Sequence, residues 1–368
     1  MKYPSLCERF LKWLTFPLFS KVVCGILRSS SFREMVYREA LARHDKGIPT
    51  FLDYPGLWGK NWRDYFLAHS FSTLLDLKER LKTGLDETSK EVIERLFLCR
   101  LLTQFDEVLP MSQTPFHHSL RAFFPLYYVE QEHLSRLGSS FCPKYKFGEL
   151  LEVPPIHMAS CFGMSYFSND TLQKLKGRDV IDGGGYAGDS AMVFTELQPS
   201  MVYAFEPNPE TLGGMKKNIE MNRDILGEAI HRITPVNLAL GSGEGTITLY
   251  TNGAFDGSTS CHQTVSFRKK REHVVPVTSI DDFVDRNKLD IGLIKLDVEG
   301  AESNVIDGAM ETIKKCKPIL VISIYHTPKD FFEIKPRLDA LKLGYRFQIR
   351  HLVPGWPLDE YCLLGSVD

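Results

Sequence analysis

The chain has 368 residues, enough for two domains, and its 43% hydrophobic and 24% charged residues are ordinary for a globular protein with a full core. Its formal net charge of −2 gives no overall attraction to nucleic acid, so we expect no nucleic-acid partner. The eight cysteines form no Cys-x-x-Cys pair, and no secretory leader opens the chain. Both features favour a reducing, cytoplasmic location.

The first 30 residues contain apolar side chains at roughly helical spacing. Pro17 interrupts the pattern, and Lys12, Lys21 and Arg28 lie within it, so the segment is too broken and too charged to span a bilayer. A helix that packs on the rest of the protein is the favoured interpretation. The alternative is a helix in the plane of a membrane surface, which would make residues 1–30 a peripheral membrane contact.

The next part of the chain, up to about residue 140, has a mainly helical hydrophobic pattern. Residues 72–82 and 88–105 place leucine, isoleucine and valine at helical intervals. Asp86 or Thr88 is suited to cap the second of these helices. The sequence therefore predicts helices before any sheet.

These patterns divide the chain into three parts. We predict a helical accessory domain over residues 1–145 and an extended, proline-containing lead-in over residues 146–174. Residues 175–368 form the predicted sheet domain.

An aromatic, turn-rich loop is predicted over residues 54–62, inside the helical region. Trp58 and Trp62 either pin this loop to the protein or stack on a sugar ring, because an indole ring suits both contacts. Pinning is the commoner role of a tryptophan. Stacking would make Trp58 and Trp62 substrate-binding residues.

The most informative stretch runs from Asp179 to Glu206. A short apolar run stops at Asp182, three glycines allow a sharp turn, and residues 191–197 are suited to a helix. A second strand then ends at Glu206. This order predicts a βαβ unit in which the glycines lie at a helix N-terminus and Glu206 binds both hydroxyls of a ribose.

Two classes of cofactor fit this unit, and Asp182 distinguishes between them. A dinucleotide site has Gly-x-Gly-x-x-Gly opening straight into the helix so that a pyrophosphate can approach, and a carboxylate before the glycines would repel that group. Asp182 is instead suited to accept hydrogen bonds from a cationic amino acid group. S-adenosylmethionine is therefore the favoured cofactor.

Strands and helices continue to alternate after Glu206, which indicates an α/β sheet. The predicted third strand ends at Asn237, the fourth at Asp297, and the fifth just before His326. Ligands of such sheets bind beyond the carboxyl ends of the strands, so Asp182, Glu206, Asn237 and Asp297 should converge.

Other features of this part of the chain follow from local patterns. Residues 245–250 and 273–277 predict an added hairpin, and residues 345–350 and 360–364 predict a terminal hairpin. Lys295 lies inside the fourth strand, where pairing with a neighbouring acid is its favoured role.

Four segments of the sheet domain carry a family resemblance. They are the stretch from Asp182 to Ser190, the Phe205-Glu-Pro-Asn-Pro209 segment, the Asn237-Leu-Ala-Leu-Gly241 segment and the stretch from Lys295 to Glu302. Together and in this order, they resemble the FkbM family of S-adenosylmethionine-dependent methyltransferases. The resemblance covers about residues 175 to 365.

The resemblance implies the α/β sheet of class I methyltransferases, with seven strands and the last one antiparallel. It implies O-methylation of a hydroxyl on a small-molecule or glycan acceptor, such as a sugar or a natural product. Cofactor contacts are expected at the glycine turn and at the ends of the second and third strands, namely Asp182, Gly183, Gly185, Glu206, Asn208 and Asn237.

Methyl transfer to an alcohol needs an in-line approach of the oxygen and a group that removes its proton. Asp297 and His326 are the predicted catalytic residues, because both follow strands whose ends face the cofactor. Glu299 is a predicted substrate-binding residue. Asp297, Glu299 and Glu302 would also suit a divalent cation, but acids at a helix N-terminus are favourable without one, and we predict no metal.

Two other function classes remain open on the sequence. A nicotinamide-dependent oxidoreductase would use the same βαβ start. A non-catalytic scaffold would keep the fold and use the N-terminal helices as an interaction surface. The sequence gives neither the identity of the acceptor nor the oligomeric state.

Overall fold

The structure is a computed structural model that describes residues 59–102, 124–140, 145–146, 160–251, 271–353 and 358–367. The predicted amphipathic segment 1–30 and Trp58 lie outside these residues. The helices within them are, in chain order, α1 (Gly59–Ala68), α2 (Phe71–Lys82), α3 (Glu87–Leu102), α4 (Pro125–Ser140), α5 (Asn169–Gln173), α6 (Asp189–Phe194), α7 (Pro209–Met221), α8 (Arg223–Leu226), α9 (Ile280–Asn287), α10 (Glu302–Asp307), α11 (Met310–Cys316) and α12 (Pro328–Ala340).

The strands form two sheets. In chain order they are β1 (Asp179–Gly183), β2 (Val202–Phe205), β3 (Ile233–Val236), β4 (Ala239–Gly241), β5 (Gly245–Thr251), β6 (Arg271–Ser279), β7 (Ile291–Leu296), β8 (Ile319–Ser323), β9 (Arg346–His351) and β10 (Tyr361–Ser366). The large sheet has seven strands in the order β3-β2-β1-β7-β8-β10-β9. β10 is antiparallel to both of its neighbours, whereas the pairs from β3 to β8 are parallel. The predicted seven-stranded α/β fold, with its terminal hairpin, is confirmed.

The central strands are buried on both faces, which explains their nearly continuous apolar sequences. Every residue of β1 and of β7 is buried. The two strands pair in parallel with Asp182 opposite Lys295 and Gly183 opposite Leu296. This register places the ends of both strands at one edge of the sheet, where strand order reverses and ligands bind in such folds.

The predicted added hairpin is also confirmed. β5 and β6 pair antiparallel, and β4 pairs with β6 in parallel to complete a small three-stranded sheet. Its buried residues form a separate small cluster of Ala239, Leu249 and Val275.

The described N-terminal helices pack directly on the sheet half of the chain. The side chain of Asp86 accepts a hydrogen bond of 2.7 Å from Ser89 N at the start of α3, as predicted for a cap. Phe66 and Phe97 belong to the same buried cluster as Phe331 and Phe332 of α12. The helices and the sheet therefore share one hydrophobic core, and the domain boundaries at residues 145 and 174 stay predictions.

Within the part of the chain that the structure describes, no helix is both long and apolar enough to cross a membrane. The cytoplasmic location and the membrane contact through residues 1–30 stay predictions.

Candidate active site

Asp182 is fully buried at the end of β1. Its carboxylate accepts a hydrogen bond of 2.7 Å from Ser190 Oγ and lies 3.2 Å from Lys295 Nζ. The predicted pairing of Lys295 with an acid is therefore observed. Asp182 therefore joins the start of α6 to β7, and its predicted contact with the amino acid group of a cofactor stays a prediction.

Lys295 fixes the glycine turn through the backbone. Its ammonium donates to the carbonyl oxygen of Gly184 at 2.8 Å and to that of Gly183 at 3.3 Å. Burial alone would lower the pKa of Lys295, but the carboxylates of Asp182, Asp297 and Asp189 outweigh burial and raise that pKa above its usual range. Lys295 therefore stays charged in its buried position.

Gly184 is the residue of the turn whose backbone conformation and close surroundings require glycine. Its φ is +76°, and a Cβ there would lie 1.9 Å from the carbonyl oxygen of Asp297. The glycine turn and the segment after β7 are also joined by a hydrogen bond of 3.0 Å from Asp297 N to Gly183 O. The sequence indicates Gly183 and Gly185 but not Gly184. Residue 184 must be glycine because Asp297, more than 100 residues away in sequence, lies against it.

Gly183 and Gly185 are constrained by side-chain packing. A Cβ on Gly183 would lie 2.9 Å from Leu296 Cδ2, and one on Gly185 would lie 2.8 Å from Met215 Cε. Both glycines therefore let neighbouring elements approach the turn, and their predicted contacts with the cofactor stay predictions.

Glu206 lies just after β2 and is 6% exposed. It accepts a hydrogen bond of 2.9 Å from Asn208 N. Burial raises the pKa of Glu206 to about 7, against hydrogen bonds from the backbone N–H groups of Asn208 and Tyr186 that lower it. Glu206 thus connects the glycine turn with the end of β2, where a ribose-binding acid is expected.

Asn208 and Asn237 organise the same edge. Asn208 caps α7 by accepting a hydrogen bond from Glu210 N at 3.0 Å, and within the described residues its buried Nδ2 has no hydrogen-bond partner. Asn237 Nδ2 donates to the carbonyl oxygens of Glu206 and Pro207, both at 3.0 Å. Asn237 therefore supports the turn that carries Glu206.

The ends of β7 and β8 bring together the second group of predicted residues. His326 is fully buried, and its Nε2 lies 3.6 Å from Asp297 Oδ1 and 3.8 Å from Glu299 Oε2. Its Nδ1 donates to Glu302 Oε1 at 2.9 Å. The side chains of Asp297 and Glu299 are 30% and 21% exposed, whereas the imidazole is fully buried.

Glu302 holds this group together, a role that the sequence did not reveal. The fully buried carboxylate accepts hydrogen bonds from Val298 N at 2.8 Å and from Gly300 N at 3.0 Å, in addition to that from His326. One side chain therefore fixes both the backbone that carries Asp297 and Glu299 and the ring of His326.

The pKa values of His326 and of the acids around it depend on one another. Burial alone would lower the pKa of His326, but Glu302 and Glu299 outweigh burial and raise that pKa well above its usual value. Burial raises the pKa of Glu299 to about 8. The surrounding carboxylates therefore favour the protonated imidazole of His326, and burial favours the protonated form of Glu299.

Two more buried acids lie in the first turn of α12 and just before β10, and neither is among the residues predicted from the sequence. Asp330 accepts from Ser303 N at 3.1 Å and from the Thr327 hydroxyl at 2.5 Å, and burial raises its pKa to about 7. The Thr-x-x-Asp spacing from Thr327 is close to a capping box, a signal that was available. Glu360 accepts a hydrogen bond of 3.2 Å from the hydroxyl of Tyr325.

Trp62 packs into the protein, as the favoured pinning interpretation predicts, and is 2% exposed. It lies in α1, however, and not in the predicted loop. Its indole packs against Phe331 and Phe332, and its Nε1 donates to the carbonyl oxygen of Tyr325 at 3.1 Å. Stacking on a sugar needs an exposed ring face, so Trp62 does not contact substrate in this structure.

The group around His326 includes side chains that could hold a metal ion. One ligand atom each from Asp297, Glu302 and His326 lies within 4.8 Å of the others. Glu302, however, already accepts three hydrogen bonds, which hold it in place without an ion. The absence of a metal stays a prediction.

Comparisons with known proteins agree with this geometry. A family model described as Methyltransferase FkbM domain matches residues 182–347. These residues form an FkbM methyltransferase domain. The match includes Asp182, Glu206, Asp297 and His326, so the predicted family and the methyltransferase class are confirmed.

Two curated relatives are methyltransferases by name. Methyltransferase 1 of Beauveria bassiana (strain ARSEF 2860) is 26% identical over 208 residues, which are 52% of this chain and 80% of that protein. The 2-O-methyltransferase NoeI of Sinorhizobium fredii (strain NBRC 101917 / NGR234) is 25% identical over 153 residues, which are 38% of this chain and 60% of that protein.

A solved structure supports the fold. The crystal structure of Methyltransferase FkbM from Methylobacillus flagellatus KT superimposes with a TM-score of 0.52 at 18% sequence identity. The match covers 84% of this chain and 62% of that chain, so the similarity of fold extends beyond the FkbM domain.

Proposed function

We propose that this FkbM methyltransferase transfers the methyl group of S-adenosylmethionine to a hydroxyl oxygen of a sugar, a glycan or a natural product. The observation that carries the proposal is the contact between the glycine turn and the segment after β7, where Asp297 N donates to Gly183 O at 3.0 Å. The contact supports the proposal because the partly exposed carboxylate of Asp297 belongs to the segment that meets the glycine turn. The name of the relative NoeI, a 2-O-methyltransferase, supports oxygen as the acceptor atom.

The residues around the glycine turn fit S-adenosylmethionine. When bound, it supplies a methyl group on a sulfonium, which is a good electrophile without further activation. Glu206 offers a buried carboxylate to the two ribose hydroxyls. Asn208 Nδ2 is a buried donor with no partner among the described residues, so it suits a hydrogen-bond acceptor of the ligand.

Asp297 is the residue that takes the proton of the acceptor hydroxyl. His326 was the other candidate, but its raised pKa favours the imidazolium, which has no free lone pair to accept a proton. Its charge is suited to orient Asp297, since Nε2 lies 3.6 Å from Oδ1. With the cofactor bound, Asp297 would take the proton that the acceptor oxygen loses as it gains the methyl group.

The charge of the crevice favours an acceptor without negative groups. The carboxylates of Asp297 and Glu302 face one imidazolium, and Glu299 and Asp330 add negative charge as they ionise. An acidic sugar would be repelled, whereas a neutral polyol would accept or donate hydrogen bonds to Asp297 and Glu299. Glu299 then acts as the substrate-binding residue.

The proposal is tested with methyl-labelled S-adenosylmethionine and a panel of neutral sugars, acidic sugars, glycans and hydroxylated natural products. We expect label in an oxygen-linked methyl group of a neutral acceptor, identified by mass spectrometry and NMR. Calorimetry in parallel compares S-adenosylmethionine with nicotinamide dinucleotides. Binding of a dinucleotide alone would support an oxidoreductase, and binding of neither would support a scaffold, so both results contradict the proposal.

A further inference from the structure

The carbonyl oxygen of Tyr325, the residue before His326, receives two hydrogen bonds from the N-terminal helices. Trp62 Nε1 in α1 donates to it at 3.1 Å, and Arg100 Nη2 in α3 donates at 3.2 Å. The donors lie 263 and 225 residues away in sequence. A carbonyl oxygen has two acceptor lone pairs, so these two donors fill its capacity.

This carbonyl controls the direction in which His326 leaves the backbone. The oxygen belongs to the peptide plane that contains the nitrogen of His326, and that plane is rigid. The two hydrogen bonds to the oxygen therefore restrict the orientation of the peptide plane that contains the backbone nitrogen of His326. The side chain of Tyr325 is held as well, by its hydroxyl bond to Glu360, and the imidazole is held by Glu302 at the other end.

The two donors are themselves fixed. The guanidinium of Arg100 lies over the ring of Trp62, 4.7 Å from its centroid, and donates a second hydrogen bond of 2.8 Å to the carbonyl oxygen of Leu358. Trp62 is wedged between Phe66 and Phe331, with ring centroids 5.8 Å and 5.6 Å away. Both donors are buried, so neither is placed to touch substrate.

We propose that Trp62 and Arg100 are positioning residues for methyl transfer, which hold His326 against Asp297 and Glu299 through the carbonyl oxygen of Tyr325. This inference rests on the proposed function. It assigns the described N-terminal helices a part in the reaction, because a displacement of about 1 Å at a reacting group can cost about 100-fold in rate.

The first experiment compares Trp62→Phe with Phe97→Leu in the full chain. Trp62→Phe keeps an aromatic ring but removes the N–H donor, whereas Phe97→Leu disturbs the same core without a bond to Tyr325. We expect Trp62→Phe to lower kcat about tenfold with KM for S-adenosylmethionine within about twofold of wild type. Phe97→Leu should leave kcat within about twofold. Equal losses of kcat in both variants would overturn the proposal, since a general loss of stability would then explain them.

The second experiment measures the hydrogen bonds of the His326 ring in the absence of methyl transfer. The ring nitrogens of His326, labelled with ¹⁵N, report on its hydrogen bonds by NMR at one fixed pH. We expect shifted and broadened signals in Trp62→Phe and larger changes in Trp62→Phe combined with Arg100→Gln, while Phe97→Leu matches wild type. Unchanged His326 signals in the double variant would overturn the proposal.

The NMR measurement also separates two kinds of failure. Missing methyl transfer in the wild-type protein, together with the expected NMR changes, would reject the proposed function and keep the positioning contact. Normal methyl transfer in the double variant would reject the positioning role and keep the proposed function.

Discussion

The cofactor side and the acceptor side of the crevice are built in different ways. The cofactor side comes from one continuous stretch, in which β1, the glycine turn, α6 and β2 follow each other from Asp179 to Phe205 and Glu206 comes next. The acceptor side combines Asp297 and His326 with distant residues such as Trp62 and Glu360. Local sequence therefore specifies the proposed cofactor side, while long-range packing assembles the proposed acceptor side.

The two sides meet at the glycine turn. Asp297 N donates to Gly183 O, and Lys295 donates to the carbonyl oxygens of Gly183 and Gly184. Substitutions on each side should therefore separate binding from turnover, and a substitution at the junction should affect the whole fold.

The largest effect is expected for Asp297→Asn on the acceptor side. Loss of the proton acceptor should lower kcat about 100-fold to 10,000-fold, while the affinity for S-adenosylmethionine changes little. Steady-state kinetics and calorimetry measure the two quantities. Asp285→Asn, an exposed acid of α9, is the matched control and should behave as wild type. Full turnover by Asp297→Asn would remove Asp297 from the catalytic role.

The next effect is expected for Glu206→Ala on the cofactor side. Each charge-assisted hydrogen bond to a ribose hydroxyl contributes about 1.5 to 3 kcal/mol as a truncation effect, so Kd for S-adenosylmethionine should rise at least about tenfold. Turnover at saturating cofactor should change much less. Glu210→Ala, an exposed neighbour on α7, is the control. An unchanged Kd in Glu206→Ala contradicts the ribose assignment.

A smaller effect, on stability, is expected for Gly184→Ala at the junction. The added Cβ would meet the carbonyl oxygen of Asp297, and φ at this residue is +76°. The substitution should lower the free energy of unfolding by on the order of 1 to 3 kcal/mol. Gly213→Ala in α7, where a Cβ has nothing within 4 Å, should instead be neutral or stabilising. Denaturant unfolding measures the free energy of unfolding of both variants. Equal stability of the two would contradict the close contact between the glycine turn and the segment after β7.

The smallest effect is the pH dependence of stability. Burial raises the pKa of Glu206 to about 7 and that of Glu299 to about 8, so the folded state binds more protons than the unfolded state above about pH 4.5. The raised pKa of His326 acts in the same direction, because its stabilising charge is lost as pH rises through that pKa. Stability should therefore fall as pH rises from about 5 to about 8.

Thermal unfolding across this range measures the slope. Glu299→Gln carries no titrating group at residue 299, so its Tm should fall less steeply with pH than that of wild type. A Tm that rises between pH 5 and pH 8 in the wild-type protein, in buffers of equal ionic strength, contradicts the assigned pKa directions.

The sequence predicted the strands and the glycine turn, because these depend on neighbouring residues. The apolar run before Asp182, the glycine turn and the acid after β2 are local signals, and the cap at Asp86 is another. The convergence of strand ends followed from the parallel arrangement alone.

The environment of individual side chains was not predictable in this way. Asp182 is buried beside Lys295 because β1 pairs with β7, and that register joins residues 113 positions apart in sequence. The pKa of His326 is raised because Glu302, Glu299 and Asp297 surround its ring. Trp62 is buried because α12 supplies Phe331 and Phe332 around its ring. Each of these facts depends on tertiary packing.

The most direct test of a separate cofactor side and acceptor side is calorimetric titration of S-adenosylmethionine into wild type, Glu206→Ala and Asp297→Asn. We predict one site per chain in the wild-type protein, binding at least about tenfold weaker in Glu206→Ala, and binding close to wild type in Asp297→Asn. Absence of binding in wild type, or equal weakening by both substitutions, would contradict the account.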